Sequence, residues 1–414
     1  MLDKRSLYRL PWSRHDNPIA WLEITDICDI QCPCCYRQQL TGHKSFEQIK
    51  DEILFLKQER NADNISIAGG EPLLHPDLID IITFIAEQEL KPIIITNAVK
   101  LTPRFLQELK LAGTSGFTLH IDSRQARPGW EGASEQDLNE LRQQYADMIH
   151  SEGNMLAFFN STVFPDTLDD IPAIVRWAHS QVTKVHGLVF ITFRYAPENV
   201  ARTMEIASSE DNVSRLGYVS SDADEIHLTS NDVYTMIRDH EPLYNPSSYL
   251  GGSVLHTSIK WLVGTMLGSR YGMYGSLGEK TMELSQTMHH AWHGRYASYF
   301  TNTIVGNRAF LAGCWDRSVR AASLNRVKEI IRRPWRIFTR IHMQSIVIVQ
   351  APDFLPDGRV DMCGSCPDTT VYNGRLVHSC RLDEYRLFGA LLTDVSVPGS
   401  DSPSVTPAQT SRNE

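Results

Sequence analysis

The first 195 of 414 residues alternate strand-like and helix-like segments, and that rhythm restricts the fold more than any other feature. Trp21 to Ile27, Asn64 to Ala68, Pro92 to Asn97, Phe117 to Asp122, Leu156 to Val163 and Leu188 to Phe193 read as strands rich in apolar and β-branched residues. Helical patterns separate them. Ser45 and Gln48 form a capping-box pattern before Ile49, Ile53 and Leu56. Pro76 opens a segment burying Leu78, Ile81, Ile82 and Ile85, and Thr102-Pro103 opens another that Gly113 closes. Ser134 to His150 and Leu168 to Ser180 complete the set. Six βα units in a row predict a parallel sheet of the α/β class, as a barrel or an open sheet. Such sheets place their chemistry in the loops after the strands.

Hydrophobic residues make up 42% and charged residues 21%, which excludes a wholly disordered or fibrous chain. A formal net charge of -9 gives no global argument for nucleic-acid binding. No apolar run is long enough for a transmembrane helix. Met1 to Leu10 lacks the apolar centre of a secretory signal, so a cytoplasmic location is expected.

In a reducing compartment the eight cysteines read poorly as disulfides. They are clumped instead. Cys28, Cys32 and Cys35 follow the first strand with spacing C-x3-C-x2-C, and Cys34 lies among them. Three thiolates on one loop suit three irons of a cubane cluster and leave the fourth open. Zinc or incidental thiols is the plainer alternative. A second group is Cys363-Gly-Ser-Cys366, then Cys380, with Asn373-Gly374 between two strand-like runs as a type I′ hairpin signal. The hairpin returns the chain, so Cys380 is expected near the knuckle. Cys314 is the expected fourth ligand, with His378 or a substrate atom as substitutes. Four thiolates fit a second [4Fe–4S] cluster or zinc.

The segment Cys28-Asp-Ile-Gln-Cys32-Pro-Cys34-Cys35-Tyr36, with Gly69-Gly70-Glu71-Pro72 after the second strand, resembles the radical S-adenosylmethionine (SAM) superfamily over about residues 18–195. The resemblance implies a partial (β/α)6 TIM-like barrel with a C-terminal auxiliary-cluster region, and a [4Fe–4S] cluster on Cys28, Cys32 and Cys35 whose open iron takes the amino and carboxylate groups of SAM. It implies reductive cleavage of SAM to a 5′-deoxyadenosyl radical, hydrogen abstraction from an unactivated C–H bond, and a flavodoxin- or ferredoxin-type electron donor. It also implies SAM contacts at Gly69, Gly70, Glu71 and Pro72, then Asn97, Asp122 and Ser123, with Asn160, Ser161, Thr162 and His120 as weaker barrel-lining candidates. Cys34 departs from the family, which usually has an aromatic there; it either packs on the adenine or is an alternative ligand. The second cysteine group is similar to twitch or SPASM auxiliary-cluster regions, with cysteines enough for one cluster. Retention of both motifs speaks against a non-catalytic iron–sulfur electron-transfer or binding protein. The other alternative is a peptide-modifying maturase.

The expected organisation is an N-terminal extension (1–17), the barrel (18–195), a substrate-covering insert (196–312), an auxiliary iron–sulfur region (313–395) and a disordered tail (396–414). Val254, Leu255, Ile259, Leu262, Val263, Met266 and Leu267 read as one helical face, either a substrate groove or packed core. His289 and His293 stand at helical i,i+4 spacing without a nearby carboxylate motif. Residues 315–342 interleave eight Lys/Arg with Leu324, Val327, Ile331, Trp335 and Phe338. That stretch fits peripheral contact with anionic lipid, a phosphate-bearing substrate, or a solvated face. The substrate is expected to be a small molecule or lipid-like.

Overall fold

The structure is a computed structural model describing residues 2–32, 35–37, 42–193, 228–355, 359–389 and 391, together with the short paired strands Ala196–Pro197 and Val219–Ser220. The tail 396–414 and Cys34 lie outside the described residues.

Six parallel strands form the heart of the molecule: β1 (Ile19–Thr25), β2 (Asn64–Gly69), β3 (Lys91–Thr96), β4 (Gly116–His120), β5 (Leu156–Val163) and β6 (Gly187–Thr192). Each is hydrogen-bonded to the next in sequence. The helices α1 (Phe46–Arg60), α2 (Leu78–Glu87), α3 (Pro103–Leu111), α4 (Leu138–Glu152) and α5 (Ile171–Ser180) cross between them. Their apolar stripes, such as Leu78, Ile81, Ile82 and Ile85, join the strand residues in one core. This is the expected parallel α/β arrangement. It puts the ends of all six strands, and the loops after them, on one side.

The sheet does not stop near residue 195. After helix α6 (Ser230–His240) come β7 (Ser248–Gly251), β8 (Ile259–Ser269) and β9 (Gly272–Ser276). Helix α7 (Glu279–His293) and helix α8 (Arg317–Arg332) follow, then β10 (His342–Gln350). Strand β10 lies parallel beside β6, β8 antiparallel beside β10, and β7 beyond it, in an 11-stranded sheet. The helical face read over 254–267 is therefore a strand over most of its length. Nearly every residue of β8 is buried, so the alternation that marks a half-exposed strand is missing and the apolar run matches a helical template equally well. Gly264 has a steric reason: a Cβ there would come within 2.6 Å of the Tyr244 ring.

At the amino-terminal end of the barrel, the segment after α7 acts as a plug. Ser298 donates to Asn64 Oδ1 at 2.7 Å, and Tyr299 packs its ring edge-on against Phe158. His289 bonds the Arg295 carbonyl through Nδ1 and stacks near His293 at 4.5 Å, so this pair secures a helix end. The expected hairpin forms: β11 (Thr369–Tyr372) and β12 (Arg375–His378) flank Asn373 and Gly374, both at positive φ. It packs on β1 and α1, where Val371 and Leu376 enter the main core. Helix α9 (Leu382–Phe388) follows it.

Candidate active site

Cys28, Cys32 and Cys35 occupy the loop leaving β1, at the carboxyl end of the sheet. The loop is held by the backbone of the segment leaving β2. Gly70 N–H donates to Thr25 O at 2.7 Å and Glu71 N–H to Ile27 O at 2.8 Å. A Cβ on Gly69 or Gly70 would lie 2.3 Å from the Thr25 or Ile27 carbonyl oxygen. The two glycines are thus required by the close approach of the cysteine loop's own backbone.

Glu71 is fully buried and faces inward to the fold. Its Oε1 accepts from Leu73 N–H at 2.9 Å and the Thr96 hydroxyl at 2.6 Å, and its Oε2 from Asn97 N–H at 2.7 Å. Burial pushes its pKa up to about 7, while the three donors act the other way. Asn97 in turn donates from Nδ2 to Asp29 Oδ1 at 2.8 Å, beside Cys28 Sγ at 3.8 Å. Glu71 and Asn97 brace the cysteine loop. Pro72 begins a short 3-10 turn, is buried, and lies off the cavity wall.

Asp122 lies two residues beyond β4 and lines the cavity. Its Oδ2 pairs with His120 Nε2 at 2.7 Å and accepts from Thr162 N–H at 3.2 Å; Oδ1 accepts from Arg124 N–H at 3.0 Å. Burial would raise its pKa, yet His120 and these bonds hold it below the ordinary carboxylate value. His120 and Thr162 line the cavity, as does Asn160, whose buried Oδ1 has no partner among the described residues. Ser123 is absent from that wall; its N–H donates to Glu135 at 2.6 Å, so the structure assigns it to a turn. Arg127 carries no signal in the sequence pattern. It is buried, donates to the carbonyls of Asn97 and His120 and to Gln125 Oε1, and ties β3 to β4 beneath the cysteines.

The second cysteine group lies across the same cavity. The neighbouring Cys366 thiol and burial raise the Cys363 pKa, and burial, with Cys366 nearby, raises that of Cys380. His378 closes β12 two residues before Cys380, and burial lowers its pKa to about 4. Two buried arginines, neither signalled by the sequence pattern, secure this group. Arg60, at the end of α1, donates to the carbonyls of Cys366 at 2.9 Å and Pro367 at 3.1 Å. Arg37, two residues after Cys35, pairs with Asp26 at 2.9 Å and with Asp383 of α9 at 2.8 Å. It thereby joins the first cysteine loop to the C-terminal region.

Cys314 does not join them. It is exposed, and it leads into α8, which packs on Leu267, Tyr274 and Ile341. Cys363, by contrast, bridges to Gly252 near the opposite end of β8. Eight residues of strand separate Ile259 from Leu267, about 26 Å at the usual rise per residue. The expected ligand role of Cys314 is not compatible with this placement.

A cavity of about 290 Å³ is lined by both groups: Cys28, Cys32 and Cys35 on one side, Cys363, Cys366 and Cys380 on the other. Trp21, Phe193, Trp261, Phe354 and Met362 supply apolar wall. The donor set fits an iron–sulfur cluster on the first group, since three free thiols of one loop face one space. The unpartnered Asn160 Oδ1 fits a polar ligand beside it. Among the described residues, no three His, Cys, Asp or Glu side chains gather tightly enough for a single metal ion.

Residues 22–178 match the model of the Radical SAM superfamily, so the chain carries the domain of radical SAM enzymes, and the family implies a [4Fe–4S] cluster and SAM. Among similar proteins, the 7,8-dihydro-6-hydroxymethylpterin dimethyltransferase of Methanocaldococcus jannaschii is 28% identical over 42% of this chain and 35% of its own length. The AdoMet-dependent heme synthase of Methanosarcina barkeri is 29% identical over 29% of this chain and 36% of its own length. The probable GTP 3',8-cyclase of Methanococcus maripaludis is 31% identical over 25% of this chain and 35% of its own length. The chain thus spans about a third of the length of the curated relatives it matches. A solved structure of Streptococcus suis SuiB bound to S-adenosylmethionine aligns with a TM-score of 0.39 and 13% identity, over 54% of this chain and 46% of that one.

Proposed function

We propose that this chain is an enzyme that cleaves SAM reductively and removes a hydrogen atom from an unactivated C–H bond of a hydrophobic substrate held between two cysteine-bound clusters. The carrying observation is the single cavity walled by both cysteine groups. Cys28, Cys32 and Cys35 would hold the first cluster, and Cys363, Cys366 and Cys380 an auxiliary one, with His378 or a substrate atom at its remaining position. Together the cluster and SAM supply a 5′-deoxyadenosyl radical when an electron arrives from a flavodoxin- or ferredoxin-type donor.

The chain's own residues do the positioning. Gly69 and Gly70 let the cysteine loop sit directly on the end of β2, and Glu71 and Asn97 fix its orientation. Asp122, held ionised by His120, is placed to accept a hydrogen bond from a ligand hydroxyl. Trp21, Phe193, Trp261 and Phe354 exclude water from the space where a carbon radical would stand. A lipid-linked substrate suits this wall. A flat heterocycle, of the kind named for the pterin and GTP relatives, is the second reading, favoured by the aromatic share of the wall. We also propose that residues 315–342 touch a membrane surface.

The test is anaerobic reconstitution. The protein should bind about eight irons, as two cubane clusters require, and convert SAM to 5′-deoxyadenosine with dithionite or reduced flavodoxin. No 5′-deoxyadenosine under either reductant overturns the reading.

A further inference from the structure

Helix α8 has two apolar faces. Val319, Ala322 and the aliphatic stem of Arg326 are buried, Ala322 against Leu267, Tyr274 and Ile341. Leu324, Val327 and Ile331 form a second stripe on the opposite side, open to solvent. The 3-10 turn Pro334–Phe338 extends it, leaving Ile331 73%, Trp335 67% and Phe338 89% exposed. A solvated helix would carry polar residues there.

Cations surround the stripe. Arg317, Arg320, Lys328, Arg332, Arg333 and Arg340 have no acidic partner among the described residues, whereas Glu329 is already paired with Arg326 and Arg336. In a chain of net charge -9, this is a local reversal of sign. Beside the stripe a cleft of about 490 Å³ is lined by Arg270, Arg340, His150 and His342, with Trp335 and Phe338 at its edge. The Tyr271 ring in its wall is stacked by the Arg336 guanidinium at 3.7 Å and holds Arg270 through its hydroxyl at 2.7 Å. The Arg270 guanidinium is thus held at the cleft by an aromatic ring that Arg336, itself paired with Glu329, stacks against, next to apolar side chains that none of the described residues covers.

We infer that this cleft seats the phosphate of an anionic membrane lipid, with Ile331, Trp335 and Phe338 inserted among the acyl chains. A soluble phosphate would use Arg270 and Arg340 but leave the apolar stripe without purpose. The inference deepens the proposed membrane contact and rests on it, not on the radical chemistry. It also fixes an orientation. His342 opens β10 at the cleft, and Gln350 closes β10 at the cysteine-lined cavity. Eight residues of strand put about 26 Å between them. The docked face and the cavity are at opposite ends of the sheet, so a lipid-linked substrate would have to extend out of the bilayer to reach the cavity.

The experiment is flotation of the anaerobically reconstituted full chain with phosphatidylcholine vesicles, with and without 30 mol% phosphatidylglycerol. Binding is expected only to the anionic vesicles. Trp335→Ala with Phe338→Ala should abolish it, while iron content and 5′-deoxyadenosine formation stay at the parent's level. Arg270→Gln with Arg340→Gln should weaken binding roughly 30-fold or more, and Arg317→Gln with Lys328→Gln, away from the cleft, clearly less. Equal losses in the two arginine/lysine pairs would mean diffuse adsorption and overturn the cleft. Failure to float would overturn the docking. Competition by millimolar glycerol 3-phosphate would assign the cleft to a soluble phosphate, and a dimer broken by Phe338→Ala would assign the stripe to a second copy; either overturns the inference. Because SAM cleavage is read on the same samples, its failure stays separate from failure to float.

Discussion

The Glu71 carboxylate accepts the backbone N–H of Asn97 at 2.7 Å, so the carboxyl end of β2 is hydrogen-bonded to that of β3 beneath the cysteine loop. Asn97 then reaches Asp29 with its side chain. The acidic residue of the Gly-Gly-Glu segment is therefore engaged by the fold and stands off the cavity wall, so its removal is expected to act on SAM binding through Asn97. Glu71→Gln keeps an acceptor for Leu73 and Thr96 but turns an amide NH2 toward the Asn97 N–H. The expected cost is about 1–3 kcal/mol of stability, with SAM affinity roughly tenfold weaker. Thermal melting and calorimetric titration of SAM check it. Unchanged stability with lost SAM binding would instead mean that Glu71 touches the ligand.

Gly70→Ala tests the close approach of the two loops. The added Cβ meets the Ile27 carbonyl oxygen at 2.3 Å, and backbone on both sides leaves no flexible atom to yield. A cost of about 1–3 kcal/mol is expected from the overpacking. The displaced segment carries Cys28, so iron on the first group should fall with it. A variant with full iron content and parental melting would sink this account.

Much of this architecture was legible because the signals are local. The six strands follow runs of β-branched residues, and Asn373-Gly374 needs only its own positive φ angles to announce the hairpin. The cysteine triplet and the two glycines are contiguous as well. What was not legible depends on the third dimension. Strand β8 is buried on both faces and lost its alternation. Cys314 lies nearer to Cys363 in sequence than Cys28 does, yet Cys28 shares its cavity and Cys314 does not. Arg37, Arg60 and Arg127 carry no pattern, since a buried arginine is defined by carbonyls that arrive from elsewhere in the chain.

Arg60 should matter to one cysteine group alone. It is buried, burial lowers its pKa to about 10, and it donates to the Cys366 and Pro367 carbonyls. Arg60→Met removes the one side chain that, among the described residues, bonds both carbonyls, and with it the cation beside the thiols. The loss is expected to be about 3 kcal/mol, as for breaking a buried charged network. Iron should fall from about eight to about four per chain, with 5′-deoxyadenosine still formed. Loss of all iron would show a global defect instead.

Cys314→Ala and Cys363→Ala form a matched pair. Cys314 is exposed at the far end of β8, so its removal should leave iron content and the visible absorption of the clusters unchanged. Cys363→Ala should remove the iron of the proposed auxiliary cluster. An equal loss in both variants would restore Cys314 as a ligand and contradict the placement found for it.

His186 sets an acid limit on stability. Its Nδ1 accepts the Ala157 N–H at 3.0 Å, which requires the neutral ring with its proton on Nε2. Burial, then the neighbouring His342 and His150, lower its pKa from 6.5 to about 4. Between those values the unfolded chain binds a proton that the folded chain refuses. Stability should therefore hold above about pH 6.5 and fall as pH drops toward 4, by at most about 3 kcal/mol from this group. His186→Asn keeps an acceptor in the Nδ1 position and does not titrate. Its urea midpoint should accordingly drop less between pH 7 and pH 5 than the parent's. Identical pH dependence in the two proteins would show that His186 does not limit stability in acid.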